Sequence, residues 1–319
     1  MKLYSKEHPA GLISSMIARD RLCRSFILIG DKGIGKKTFA GYMSMQALCE
    51  RATGVPCGEC RSCRLIEQNI HPDVITVKPS GKSANYRVDD LRPIISDAYT
   101  ASNEGGYKIY ILPEIDKALP AAQNILLKIF EEPPEHVLFI MTAERKEKIL
   151  ETILSRAVVI NITEASEQDC LAALKDNGIA PDDAARAYDI YGGNIGACLA
   201  YLSGEGIEAV RAAEAAVNAI IYGDEYSLCK ALFISDRELG LQVVAELSKA
   251  VCAAASMKQG GPKTKYLHSL TRGLMESIRL SGLIGMYEDL KQAADKLSGN
   301  SNVLLTMCDL GASLRTDSI

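Results

Sequence analysis

An α/β domain followed by helical domains is the fold class this sequence predicts, and three observations carry it. Short apolar runs of strand length alternate with helix-length stretches through the first half of the chain, the pattern of a mainly parallel sheet covered on both faces. A glycine-rich loop follows the first run and opens a helix, the context a phosphate-binding loop requires. After about Ile162 the strand-like runs stop, and alanine- and leucine-rich helical patterns take over.

Taken in order, SFILIG (25–30) reads as a strand and KKTFAGYMSMQALCE as the helix behind it. DVITVK (Asp73–Lys78) is a second strand. RVDDLRPIISDAYTAS is a helix with Asp89 and Asp90 in its first turn, where carboxylates favour the positive end of the helix dipole. YKIYIL (107–112) is a third strand, and AAQNILLKIFEE a helix stopped by Pro133 and Pro134. HVLFIMTA and AVVINI supply two more strands. Residues 163–207 hold short helical patterns broken at Asn177-Gly178 and Gly192-Gly193-Asn194, and the remainder is helical around a KQGGPKTK turn at 258–265. Three domains are expected: 1–162 (α/β), 163–207 (small, helical) and 208–319 (helical).

The 319 residues suffice for two or three domains, and 47% apolar with 24% charged residues is a globular composition. No apolar run reaches the length of a membrane span, and MKLYSKEHPAG is not a signal peptide, so a cytoplasmic location without membrane contact is expected. In a reducing compartment, closely spaced cysteines mean metal or redox chemistry before disulfides. A net charge of −4 excludes a protein that coats nucleic acid by bulk electrostatics, and the absence of tryptophan with five phenylalanines disfavours a stacking platform for single strands.

The phosphate loop runs Gly30-Asp31-Lys32-Gly33-Ile34-Gly35-Lys36-Lys37-Thr38. Its N–H groups and the helix N-terminus would cradle phosphate oxygens, and Lys36 would reach them as a point charge. The motif asks for Ser or Thr directly after that lysine, to hold Mg²⁺. Lys37 stands there instead, and Thr38 is one position late, rotated by about 100° around the helix. After YKIYIL an acidic pair is expected, one residue for the metal and one to orient water. The chain has Pro113-Glu114, so the metal-side Asp is missing. Two losses on the metal side speak against efficient hydrolysis. ATP or ADP binding without turnover and an empty, structural loop both remain open.

Cys57, Cys60 and Cys63 lie in PCGECRSC, with Cys49 upstream. Two overlapping C-x-x-C steps plus a fourth thiol suit a closed, structural Zn²⁺ site, with Pro56 and Gly58 fitting the turn. The alternative is a disulfide pair with incidental thiols. Cys23, Cys170, Cys198, Cys229, Cys252 and Cys308 have no ligand spacing and are expected to be mostly small buried hydrophobes.

The phosphate-loop helix, Cys49…PCGECRSC, HPDV, RVDDLR, YKIYIL, AAQNILLKIFEEPP, LFIMTA and ILSRAVVI together resemble the bacterial clamp-loader AAA+ family over about residues 1–200. The resemblance implies a nucleotide-binding-like AAA+ domain with a zinc module at 49–63, a lid over 163–207 and an oligomerising collar over 208–319. Ser155-Arg156 match the family's Ser-Arg-Cys motif, with Ala157 in place of the cysteine. In the family that arginine is a finger placed in a neighbouring subunit's ATP site, a role that suits a permanently charged fork. Thr142 matches the first sensor position, and Gly196 stands where catalytic members carry a second-sensor arginine. The resemblance therefore implies a subunit of a DNA polymerase holoenzyme that completes a neighbour's site without running its own. Its partners would be gamma/tau-type and delta-type subunits, the sliding clamp and primer–template DNA, with Arg87 and Arg92 as candidate phosphate contacts. A catalytically active gamma/tau-type ATPase, with Thr38 and Glu114 doing unorthodox metal work, is the alternative; a zinc-dependent nucleic-acid binder is a third, which the acidic balance disfavours.

Overall fold

The computed structural model describes residues 2–79, 85–204, 206–223, 225–261, 268–299 and 301–317. The chain forms two compact units: Met1–Ala173 with Gly193–Gly196, and Leu174–Gly192 with Ala197–Ile319.

The first unit opens on α1 (Glu7–Ala18), an unanticipated helix that buries Ala10 and Ile13. The order continues β1 (Ser25–Ile29), α2 (Lys36–Leu48), α3 (Arg61–Glu67), β2 (Val74–Thr76), α4 (Val88–Ala98), β3 (Lys108–Leu112), α5 (Pro120–Glu131), β4 (Val137–Ala143), α6 (Glu151–Leu154), β5 (Val158–Asn161) and α7 (Glu167–Asp176). The five strands make one sheet in the order β2-β3-β4-β1-β5, and every pairing is parallel. Alternate residues of each strand feed opposite layers. Ile27, Tyr110, Leu112, Phe139 and Met141 face the α4–α5 side; Phe26, Leu28, Ile109, Ile111, Leu138 and Ile140 face the α1–α2 side. Both faces are dry, which is why the strands read as unbroken apolar runs. The second strand is shorter than the DVITVK run because only Val74–Thr76 pair with β3.

A parallel sheet brings all the C-terminal strand ends to one edge. The phosphate loop after β1, Pro113-Glu114 after β3 and Thr142 near the end of β4 therefore meet there.

The second unit holds α8 (Pro181–Tyr191), most of α9 (Ile195–Leu202), α10 (Ile207–Tyr222), α11 (Glu225–Ala231), α12 (Arg237–Lys258), α13 (His268–Ser277), α14 (Leu280–Ser298) and α15 (Val303–Asp317). Its core interleaves Ala213, Val217 and Ile220 with Val243, Leu247, Val251, Leu283, Leu290, Met307 and Leu310. Helix α12 is long and apolar enough to cross a membrane, yet Val243, Val244, Leu247, Ala250 and Val251 are buried in this core. Two cations cap helix ends: Arg237 donates to the carbonyls of Leu297, Gly299 and Ser301, and Lys258 to those of Met275 and Ile278. Of the six scattered cysteines, Cys170 and Cys198 are buried, Cys23, Cys229 and Cys308 half-buried and Cys252 exposed. Burial thus holds fully for two of them: Cys229, Cys252 and Cys308 lie on helix sides that are not fully covered, and Cys23 lies in the connection between α1 and β1. The 258–265 turn lies largely outside the described residues.

Candidate functional site

The loop corner is closed on itself. Gly35 caps α2 with φ of 95°, and Lys36 opens the helix at 8% exposure. Its Nζ donates to the carbonyls of Gly30 (2.6 Å) and Asp31 (2.8 Å), so the ammonium is spent on the loop's own backbone. Burial pulls the Lys36 pKa below its ordinary value against the opposing pull of Glu144, Asp116, Asp31 and Glu114. Lys37 and Thr38 are both exposed in the first turn of α2. Gly30 sits so close to the backbone that a Cβ there would meet the Ile162 carbonyl oxygen at 2.5 Å.

A second strut reaches the loop from the segment 193–196. Gly196 N–H donates to the Gly33 carbonyl (3.0 Å), and Asn194 Nδ2 donates to the Lys32 carbonyl (2.8 Å). A Cβ on Gly196 would lie 2.7 Å from Gly33 Cα and 2.9 Å from its carbonyl carbon. At Gly196, then, the absence of a side chain is what lets the backbone lie on the loop.

The acidic residues at this edge are partly committed; the buried Oδ1 of Asp116 has no hydrogen-bond partner among the described residues. Glu114 adopts φ of 56° and pairs with Lys117 at 2.9 Å. Burial raises its pKa, but Lys117, Lys37 and Lys32 outweigh that and hold it below the usual carboxylate range. Lys37 thus brings its ammonium near the Glu114 carboxylate. Thr142, at 1% exposure, accepts from the Glu114 N–H at 3.0 Å, a structural bond. Asp116, which the sequence reading did not single out, is buried, and its Oδ2 accepts from the N–H groups of Glu144 and Arg145 at 3.2 Å each. An acid two residues past Glu114 was the available signal.

The Ser155-Arg156 corner contrasts with this. Gln123 on α5, fully buried, donates to the carbonyls of Ala118 (3.0 Å) and Lys148 (2.9 Å) and accepts from Leu150 N–H (2.9 Å). It fixes the turn that starts α6, and α6 delivers Ser155 and Arg156. The Arg156 side chain is 35% exposed. Its Nη1 donates to the Thr152 carbonyl (2.9 Å) and Ser155 Oγ (3.3 Å), and its Nη2 pairs with Glu131 at 2.8 Å. Arg92 pairs with Asp89 at 3.3 Å on an exposed face, and the Arg87 N–H donates to Asp90 Oδ2 at 2.8 Å in the cap of α4.

The four thiols of the predicted metal site come together. Their Sγ atoms all lie within 4.8 Å of one another. Cys49 caps the end of α2, Gly58 makes the turn at φ of 73°, and Cys60 caps α3. Cys63 lies within the first turn of that helix rather than on a loop. Backbone N–H groups of Cys57, Cys60 and Cys63 point at Cys49, Cys57 and Cys60 sulfurs at 3.3–3.4 Å. The N–H groups of Cys60 and Glu59 lower the Cys57 thiol to about 6, whereas burial pushes Cys63 up to about 12. A tetrahedral Zn²⁺ with bonds of about 2.3 Å needs sulfurs about 3.8 Å apart. The donor set and spacing fit that ion with a small contraction, and its charge would favour all four thiolates.

The module is tied to the sheet. Met45 and Ile66 pack beneath the thiols, and Arg61 pairs with Glu104 at 2.7 Å. In the HPDV segment, buried Asp73 accepts from Asn103 N (2.7 Å), Asn103 Nδ2 (2.9 Å) and Glu104 N (2.9 Å). Burial raises the Asp73 pKa, but these donors outweigh it and leave the carboxyl below its ordinary value.

Among curated relatives, the chain is 30% identical over 175 residues to DNA polymerase III subunit gamma of Buchnera aphidicola (54% of this chain, 47% of the relative). It is 30% identical over 158 residues to subunit tau of Escherichia coli (49% and 24%), and 32% identical over 148 residues to subunit delta' of Pseudomonas aeruginosa (46% and 45%). The match spans less than half the length of each of them. Among solved structures, a gamma subunit-related protein of Thermotoga maritima aligns over 97% of this chain and 99% of its own, at 16% identity and a TM-score of 0.44. The sequence pattern of the family described as "DNA polymerase III, delta subunit" matches residues 6–166, half of the chain, and the chain belongs to that family.

Proposed function

We propose that the chain is the delta-prime subunit of a bacterial DNA polymerase III clamp loader, which lends Arg156 to a neighbouring ATPase subunit and hydrolyses little or no ATP itself. One observation carries the reading: Lys36 is spent on the carbonyls of its own loop, while Arg156 stands at the surface with a replaceable partner. In the neighbour's site the guanidinium would fork onto γ-phosphate oxygens as charge develops. At the chain's own loop, ATP or ADP would bind without efficient hydrolysis, and only once Lys36 leaves Gly30 and Asp31. Gamma/tau-type and delta-type subunits, the clamp and primer–template DNA are the partners of this reading, in the cytoplasm. Residues 163–207 would be its lid and 208–319 its collar.

Cys49, Cys57, Cys60 and Cys63 hold a structural Zn²⁺ in this reading, a crosslink between the end of α2 and the start of α3. Metal analysis of the purified chain should give one zinc, lost in Cys60→Ser; unchanged metal content in that variant refutes the site.

The isolated chain should show negligible ATPase, and Arg156→Ala should depress turnover of the assembled complex. A second reading, an active gamma/tau-type ATPase, draws support from the relatives named gamma and tau. Robust Mg²⁺-dependent hydrolysis by the isolated chain, abolished by Lys36→Ala, would establish it in place of the first.

A further inference from the structure

We infer that Glu131 is a positioning residue that parks the Arg156 guanidinium in the free subunit and must release it before the arginine can engage a neighbour's phosphate. The inference rests on the proposed role of Arg156 and deepens it. The two residues come from different elements, Glu131 from the last position of α5 and Arg156 from just beyond α6. Each terminal nitrogen of the guanidinium is occupied: Nη1 on the Thr152 carbonyl and Ser155 Oγ, Nη2 on Glu131 Oε1 at 2.8 Å. The Nη1 acceptors are local to α6 and travel with the arginine. Glu131 is the anion on the other element, at 50% side-chain exposure, so an incoming anion can reach and replace it.

Helix stability does not account for this carboxylate. A negative charge at the C-terminal end of α5 opposes the helix dipole, which favours cations there. An exposed ion pair of this kind is also a weak stabiliser. What the pair does achieve is to hold a long, flexible side chain in one direction in the absence of a partner. Engagement then becomes an exchange of one anion for another: carboxylate leaves Nη2 and a phosphate oxygen takes its place.

In the parking scheme the arginine leaves Glu131 when ATP binds and its grip strengthens as charge develops, so removing the carboxylate's charge removes the same cost from ground state and transition state. Such uniform assistance shows in KM rather than in kcat. The test uses the full chain in the assembled clamp-loader complex, with wild type, Glu131→Gln, Arg156→Ala and the double variant compared by ATPase kinetics. Glu131→Gln should lower KM for ATP about two- to fivefold, the range set by exposed ion pairs, with kcat within about twofold. The double variant should match Arg156→Ala alone, and the free Glu131→Gln chain should unfold at the wild-type temperature. An unchanged or raised KM in Glu131→Gln while Arg156→Ala still collapses turnover overturns the parking role and leaves the finger standing. A Glu131→Gln effect that persists without Arg156, or a clear loss of thermal stability, overturns it as well. Normal turnover in Arg156→Ala removes the finger reading, and the parking role with it.

Discussion

Lys36 and Arg156 belong to the same compact unit, and both are cations of the kind that grips phosphate, yet the fold treats them in opposite ways. Lys36 is buried at the first position of α2, where two backbone carbonyls absorb its charge and the 193–196 segment presses on the loop beside it. Arg156 follows a short helix at the surface, and its opposite charge, Glu131, is itself half exposed. Desolvated hydrogen bonds from a charged group to fixed backbone are costly to break. An exposed ion pair is not. The difference teaches that a phosphate-binding motif in sequence is not an available phosphate site: availability depends on what the cation must give up.

The most demanding test of that contrast compares Arg156→Ala with Lys36→Ala in the assembled complex. Arg156→Ala should cut ATP turnover by roughly 10³-fold, the scale of arginine-finger losses, whereas Lys36→Ala should leave it within about twofold. Equal losses would erase the distinction between the two corners. Next in size is Gly196→Ala. The new methyl has to displace the Gly33 backbone, which should cost about 1–3 kcal/mol, the usual range for overpacking, read by denaturant unfolding. If the variant is fully stable, the 193–196 segment is not holding the loop.

The smallest effect concerns Asp73, which ties the start of β2 to the segment before β3. Asp73→Asn should lose about 1–2 kcal/mol at neutral pH, because it weakens bonds to a charged acceptor. The folded carboxyl lies below its ordinary value. Its contribution is therefore full above the unfolded aspartate pKa of about 4 and disappears as pH falls through the folded value. Stability curves of wild type and variant should converge on acidification. A gap that persists at low pH would show that packing, not charge, sets the cost.

Much of this molecule was legible as sequence, for reasons that differ by element. The strands could be read because both faces of the sheet are dry, leaving Phe26–Leu28 and Val137–Met141 without polar interruptions. The four thiols could be read because metal ligands fall at fixed short spacings. Helix α1 escaped because its buried face is two residues, Ala10 and Ile13, too sparse for a periodic signal. The closure of the loop escaped for a different reason: Gly196 meets Gly33 across more than 160 positions, and a glycine carries no pattern that names its partner. The Glu131–Arg156 pair was likewise hidden, since a motif gives a residue's identity and not the neighbour that holds it.

The close approach of Gly196 to Gly33 also bears on how such a subunit could change over generations. Placing a hydroxyl at the exposed Lys37 position would be a single surface exchange. Restoring an arginine at 196 would not, because its first carbon already collides with main chain. Any lineage that gained such a side chain would have to move the 193–196 segment first, passing through a less stable intermediate. The glycine acts as a ratchet: the contact it permits, once formed, is hard to undo.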